Sequence, residues 1–178
     1  MKVFKFIGIG ILGLICLLLI VAMIVPKDFT ISVSTTINKP QAVVFDYVKM
    51  IKNQEKYSVW VMKDPNIKIE YAGIDGTVGA KSSWESLDDN VGVGSQQIKK
   101  ITDDRIDVDL HFEKPMKGDN KAATIVEEIS DNKTKLTSEF YVHADYPFNL
   151  MSFVFKSFIK EDQSQNLANV KKILESQP

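Results

Sequence analysis

The side chains in this sequence that could do chemistry are few and scattered. There are two histidines, His111 and His143, and one cysteine, Cys16, in 178 residues. An imidazole with carboxylates beside it can act as a general base near neutral pH. His143, followed by Ala144-Asp145-Tyr146-Pro147, has that neighbourhood, but no nucleophile or second partner is placed beside it by the sequence. His111 alternates with Asp107 and Asp109, which puts it on a wet strand face. There is no H-x-x-x-H pair, cysteine cluster or H-E-x-x-H, so no ligand set for zinc is legible. Nor does a phosphate-cradling P-loop or a G-x-G-x-x-G open a helix; Gly92-Val93-Gly94 starts a strand and reads as a bulge or tight turn. Asn132-Lys133-Thr134 fits a glycosylation acceptor, a pattern common by chance, and falls in a hairpin turn. The residues therefore imply no catalytic constellation, no metal and no cofactor.

The elements that must carry these residues begin with an apolar run. Phe6 to Val25 reads FIGIGILGLICLLLIVAMIV, twenty residues without a charge. At ~1.5 Å per residue a helix of that length spans the ~30 Å hydrocarbon core of a bilayer. A cleaved signal peptide is the competing reading. Its apolar region runs only ~7–15 residues and ends at small residues, whereas Ala22 has Met23 and Ile24 beside it. Residues 1–28 are thus expected to form a retained single-pass anchor, in contact with the membrane through residues 6–25. Lys2 and Lys5 precede the run while Lys27 and Asp28 follow it, a bias that favours a cytoplasmic N-terminus with the following domain on the outer face. Cys16 lies mid-span between Ile15 and Leu17, where it reads as a small apolar residue, and a lone cysteine leaves the redox compartment open.

Residues 29–178 read as one domain. Removing Lys2, Lys5, Lys27 and Asp28 from totals of 22 basic and 23 acidic groups leaves 19 and 22, a near balance. Arg105 is the only arginine, and no basic stripe is present, which speaks against a nucleic-acid partner. Phe29–Ile37 alternates as a half-buried strand. Asn38-Lys39-Pro40-Gln41 carries a helix-start signal, with Asn38 able to cap and Gln41 able to close a capping box. A first helix is predicted over 40–51 and a second short one through Gln54 toward Trp60. Six strands follow, over 67–72, 80–87, 93–102, 104–113, 122–130 and 134–144, separated by turns that include Asp75-Gly76, Gly118-Asp119-Asn120 and Asp131-Asn132. Ile106, Val108, Leu110 and Phe112 against Asp107, Asp109, His111 and Glu113 give the clearest alternation, so one sheet face must be covered. The cover is a helix from Leu150 to about Ser176, apolar at both ends and polar at Glu161-Asp162-Gln163-Ser164-Gln165.

That order of elements, with several local motifs, resembles the polyketide cyclase/dehydrase-like branch of the START and Bet v 1-type (SRPBCC) superfamily. Ile37-Asn38-Lys39-Pro40-Gln41-Ala42-Val43-Val44-Phe45 is similar to the family's opening strand and helix, and Tyr57-Ser58-Val59-Trp60 to its aromatic exit from the second helix. Gly73-Ile74-Asp75-Gly76-Thr77-Val78-Gly79-Ala80 followed by Trp84, the Gly92-Val93-Gly94 strand start, Leu110–Pro115 and Leu167–Ser176 also match family positions. The chain departs from the pattern at Lys52–Tyr57, which lacks a tryptophan often found there.

The resemblance implies an α+β helix-grip fold: a seven-stranded curved antiparallel sheet, two short helices and one long C-terminal helix, here preceded by a single transmembrane helix. It implies a cavity between sheet and long helix, with Trp60, Trp84, Phe112 and Phe158 as candidate walls and Asp162 as its polar candidate, one helical turn after Phe158. Each aromatic could equally be ordinary core, and Asp162 a solvated face. Three functions stay open: a membrane-anchored binder of a small apolar ligand or lipid, a cyclase/dehydrase-type enzyme using polar groups such as Asp162 or His143, or a structural interaction domain at the membrane.

Overall fold

The computed structural model describes residues 2–115 and 117–177. Helix α1 (Lys2–Ile24) contains a 21-residue stretch, Phe4–Ile24, of mean hydropathy 3.1 that is long and apolar enough to cross a membrane. Its described side chains are exposed except Ala22, as expected of a helix that is apolar all round with no protein packed along it.

Strand β1 (Asp28–Ile37) follows almost at once, and helices α2 (Gln41–Val48), α3 (Gln54–Tyr57) and α4 (Val59–Lys63) lead to β2 (Lys68–Ala72). Strands β3 (Lys81–Glu85), β4 (Val93–Ile101), β5 (Arg105–Lys114), β6 (Gly118–Ser130) and β7 (Lys133–His143) then run as a meander into helix α5 (Ser152–Glu175). All seven strands join one antiparallel sheet in the order β1-β7-β6-β5-β4-β3-β2. Short turns force neighbouring strands to be antiparallel, and only β1 must travel, its partner β7 arriving last. The fold class read from the sequence is the one observed.

Details differ where local chemistry had competitors. The predicted capping box does not form. Pro40 itself precedes the first turn of α2 without a side-chain cap, and the Gln41 amide instead donates to the Val126 carbonyl at 2.7 Å, tying α2 to the sheet. The first helix ends at Val48 rather than 51, because a 3₁₀ turn (Ile51–Asn53) intervenes, its start held by the Asp75 carboxylate accepting from the Ile51 N–H at 2.7 Å. The second short helix is two, α3 and α4, broken at Ser58, whose backbone is extended. Gly118, Asp119 and Asn120, expected in a turn, open β6, because Phe112, His111 and Leu110 supply them with strand partners. A 3₁₀ turn (Phe148–Met151) precedes α5, so the long helix starts at Ser152.

The dry core sits at one end of the molecule. Ile37, Val44, Val48, Ile98, Ile106, Val126, Leu136, Val170 and Leu174 form it, where α2 and the last turns of α5 meet the start of β7 and the end of β6. The opposite end carries α1. There, buried Asn149 donates through Nδ2 to the Ala22 and Val25 carbonyls, both at 2.7 Å, satisfying acceptors that the end of a helix leaves orphaned.

Candidate functional site

On β5 and β6 burial of the inner face falls toward the α1 end, whereas Gln96 of β4 and Phe140 of β7 stay buried. In β5 Ile106 is buried, while Val108, Leu110 and Phe112 are half-buried; in β6 Val126 is buried, while Thr124 and Ala122 are half-buried. Helix α5 repeats the trend, from buried Leu174, Val170 and Leu167 to half-buried Ile159 and Phe155. The physical cause is where α5 lies. It packs along β1 and the neighbouring β7, and α3 and α4 lean on its other flank, so the inner face of β5 and β6 is only partly covered at this end. Register brings Ile98, Val108, Ala122 and Phe140 into one row across that face, and Gln96, Leu110 and Asn120 into the next. The result is an inner face that is half-buried on β5 and β6, apolar at Val108, Leu110 and Phe112 and flanked by the polar Gln96 and Asn120 beside Leu110.

Two of the sequence-predicted walls meet there. The Trp84 and Phe112 rings stand edge to face with centroids 5.8 Å apart, and the Trp84 indole N–H donates to the Val91 carbonyl at 3.3 Å. Gly94, between them in β4, makes room: a Cβ there would fall 2.6 Å from the indole and 2.6 Å from the His111 carbonyl. Trp60 is half-buried on α4. Phe158 is 62% exposed, one turn before Asp162 on α5. The Asp162 carboxylate accepts from Lys63 of α4 at 3.0 Å, and both line an open groove of about 300 Å³ with Val59, Met62, Glu161 and Gln165. A second open hollow of about 480 Å³ lies on the exposed flank of α5 by Ser157, Lys160 and Ser164. Trp84 and Phe112 are thus brought together on the sheet, Asp162 lies in the α4–α5 groove, and Phe158 is exposed one turn before it.

Sequence reading missed the polar lattice that ties the helices to the sheet and to one another. The Gln96 amide donates to Gln54 Oε1 at 2.5 Å and to Ser82 Oγ at 3.0 Å, joining α3 to β3 and β4. Ser138 donates to Gln163 at 2.7 Å, and Asn166 accepts from the Val59 N–H at 2.8 Å, joining α5 to β7 and to α4. A sequence signal existed: Gln163 and Asn166 fall on the helical face that continues into Leu167 and Val170. Burial pushes the Tyr47 and Tyr57 phenols up, and burial followed by a hydrogen bond to Glu55 does the same for Tyr71. These hydroxyls stay protonated at neutral pH and act as spacers rather than bases.

The candidate base His143 lies elsewhere. It ends β7 and is exposed, with Nδ1 2.7 Å from Asp28 and Nε2 3.3 Å from Asp145. Hydrogen bonds to Asp28, then Asp145, raise its pKa above the ordinary value. Because the folded value is raised, the pairing stabilises the junction fully below the unfolded pKa of about 6.5 and is lost as pH rises through the folded value. Asp28→Asn is expected to lower the His143 titration midpoint seen by NMR and to flatten the fall in stability with rising pH across that window. His111 is also a surface group, 2.6 Å from Asp119. On the outer sheet face Arg105 binds Asp107 at 2.7 Å and the Tyr141 hydroxyl at 2.9 Å, and Tyr141 in turn donates to Glu139, an ion-pair network that joins β5 to β7. Among the described residues no group of three His, Cys, Asp or Glu side chains could hold a metal ion.

No family model and no curated protein matches this chain. Solved structures do. A crystal structure of Ara h 8.0201 superposes with a TM-score of 0.59 at 15% identity, over 84% of this chain and 99% of that one. Norcoclaurine synthase from Thalictrum flavum, in complex with dopamine and hydroxybenzaldehyde, gives 0.65 at 10% identity, over 89% and 93%. The di-domain ARO/CYC BexL from the BE-7585A biosynthetic pathway gives 0.62 at 12%, over 85% of this chain and 52% of that one. The fold is therefore the Bet v 1-like helix-grip fold.

Proposed function

We propose that this chain is a membrane-tethered binding module that holds a small apolar molecule, a lipid or isoprenoid in size and polarity, between the sheet and α5. One observation carries the reading: the inner face of β5 and β6 is only half-buried at the apolar Val108, Leu110, Phe112 and Ala122, while the opposite end of the same two strands is dry core. Apolar surface left accessible inside a rigid frame is a standing site for an apolar guest. Helix α1 keeps that site near lipid, through the three residues Val25, Pro26 and Lys27 between its last turn and β1. The charge bias around α1 favours a domain on the outer face.

The other two functions draw less support. Asp162 is paired with Lys63 in the α4–α5 groove and His143 sits with two carboxylates at the end of β7, so the two polar groups an enzyme would need share no site. A purely structural domain has no use for the half-buried inner face.

The test uses the full chain, extracted into an amphipathic polymer without detergent exchange and examined by native mass spectrometry and by organic extraction. A defined apolar species at about one per chain is expected. A chain that always emerges empty, and takes up neither lipid nor an apolar dye, sinks the proposal.

A further inference from the structure

The strands place one set of loops beside the end of α1. β1 starts and β7 ends there, Asp28 facing His143, so by antiparallel pairing the β3–β4 and β5–β6 turns and the approach to α5 lie at that same end. This is also the end at which the inner face of β5 and β6 is only half-buried. The rim carries large exposed apolar side chains: Leu87 is 98% exposed in the β3–β4 turn, Phe148 68% in the 3₁₀ turn, and Phe153 68% in the first turn of α5, with Met151 and Val154 beside them. Water-exposed side chains of this size, gathered at one end, mark an interaction surface.

The occupant follows from what the rim is joined to. Asn149, inside the Phe148–Met151 turn, is bonded to the Ala22 and Val25 carbonyls, so this turn sits level with the last turn of α1. A helix that crosses a bilayer and ends at Val25 places those carbonyls at the interface, and Phe148 with them. Charges on the rim are mixed, Lys114, Lys117 and Lys156 among Asp28, Asp88, Glu113 and Asp145, so attraction to anionic lipid is not what would hold it. We infer that this rim docks on the bilayer that α1 enters, with Leu87, Phe148 and Phe153 buried in the headgroup region, so that the half-buried inner face of β5 and β6 opens onto lipid rather than water. The inference rests on the tethered reading of α1.

Spin labels on the full chain in phosphatidylcholine proteoliposomes test both steps separately. Native Cys16 reports the depth of α1; in a Cys16→Ser background, Leu87→Cys and Phe153→Cys report the rim, and Lys172→Cys reports the far end of α5. Labels at 87 and 153 are expected to favour collision with oxygen over a water-soluble nickel chelate by about tenfold more than the label at 172, as interfacial side chains do. Rim labels as open to nickel as the label at 172, with Cys16 protected, overturn docking and leave the tether standing. A nickel-accessible Cys16 overturns both. Phe148→Asp with Phe153→Asp, in a chain whose far-ultraviolet dichroism is unchanged, is expected to return the label at 87 to water, and a label that stays in lipid also overturns the inference.

Discussion

Gly94→Ala is expected to lower the domain's stability by about 1–3 kcal/mol, the range for forcing extra volume into a packed site, and to unseat Trp84. The added Cβ meets two unlike neighbours: the indole at 2.6 Å, which can swing away, and the His111 carbonyl at 2.6 Å, which is fixed in the β4–β5 pairing. β4 already slips register between Val93 and Gly94, so the strand has little slack left to absorb a methyl group. Near-ultraviolet dichroism and the chemical denaturation midpoint would show the change. In a Trp84→Leu background the same substitution should cost less, because the indole clash is gone and the carbonyl clash remains. Equal costs in the two backgrounds would mean that Gly94 serves the strand alone and has no part in seating the Trp84–Phe112 wall.

The sheet was legible because alternation is a local signal and turns such as Asp75-Gly76 and Asp131-Asn132 punctuate it. Ile106 to Phe112 shows this best: one face of β5 is apolar from end to end, and it does point inward. The same alternation hides the site, since Ile106 and Leu110 look alike in sequence. One is buried and the other half-buried because α5 follows β1 and β7 across the sheet, a long-range matter that periodicity does not encode. Phe158, a candidate wall through the family resemblance, is 62% exposed on α5, and nothing in its local spacing distinguishes an exposed position from a lining one. Gln41 shows the reverse case. Its spacing suits a capping box, but a free sheet carbonyl at Val126 lay in reach and took the amide. Asn149, buried and bonded to α1, had no signature at all, since nothing in Phe148-Asn149-Leu150 announces that a helix from 127 residues earlier ends beside it.

Leu110→Glu and Leu136→Glu make the same chemical change on the same sheet and are expected to fail in different ways. Leu136 is fully buried beneath α2 and α5, so an ionised carboxylate there has no water and no partner; that costs several kcal/mol, comparable to the whole stability of a small domain, and folded chain should not accumulate. Leu110 is half-buried on the inner face, between Gln96 and Asn120 in the row across the sheet, and a carboxylate there keeps its hydration as long as no guest covers it. The fold should survive with a midpoint close to the parent's. An apolar guest, however, would strip that water away, so the desolvation cost moves from folding to binding. Retention of the extracted species should fall about 100-fold, equivalent to ~2.7 kcal/mol of affinity. Leu110→Met, which preserves volume and polarity, should retain the guest and thereby separates loss of shape from gain of charge. If Leu110→Glu folds and still carries its full complement of cargo, the guest does not lie over β5, and the half-buried inner face loses its meaning as a site.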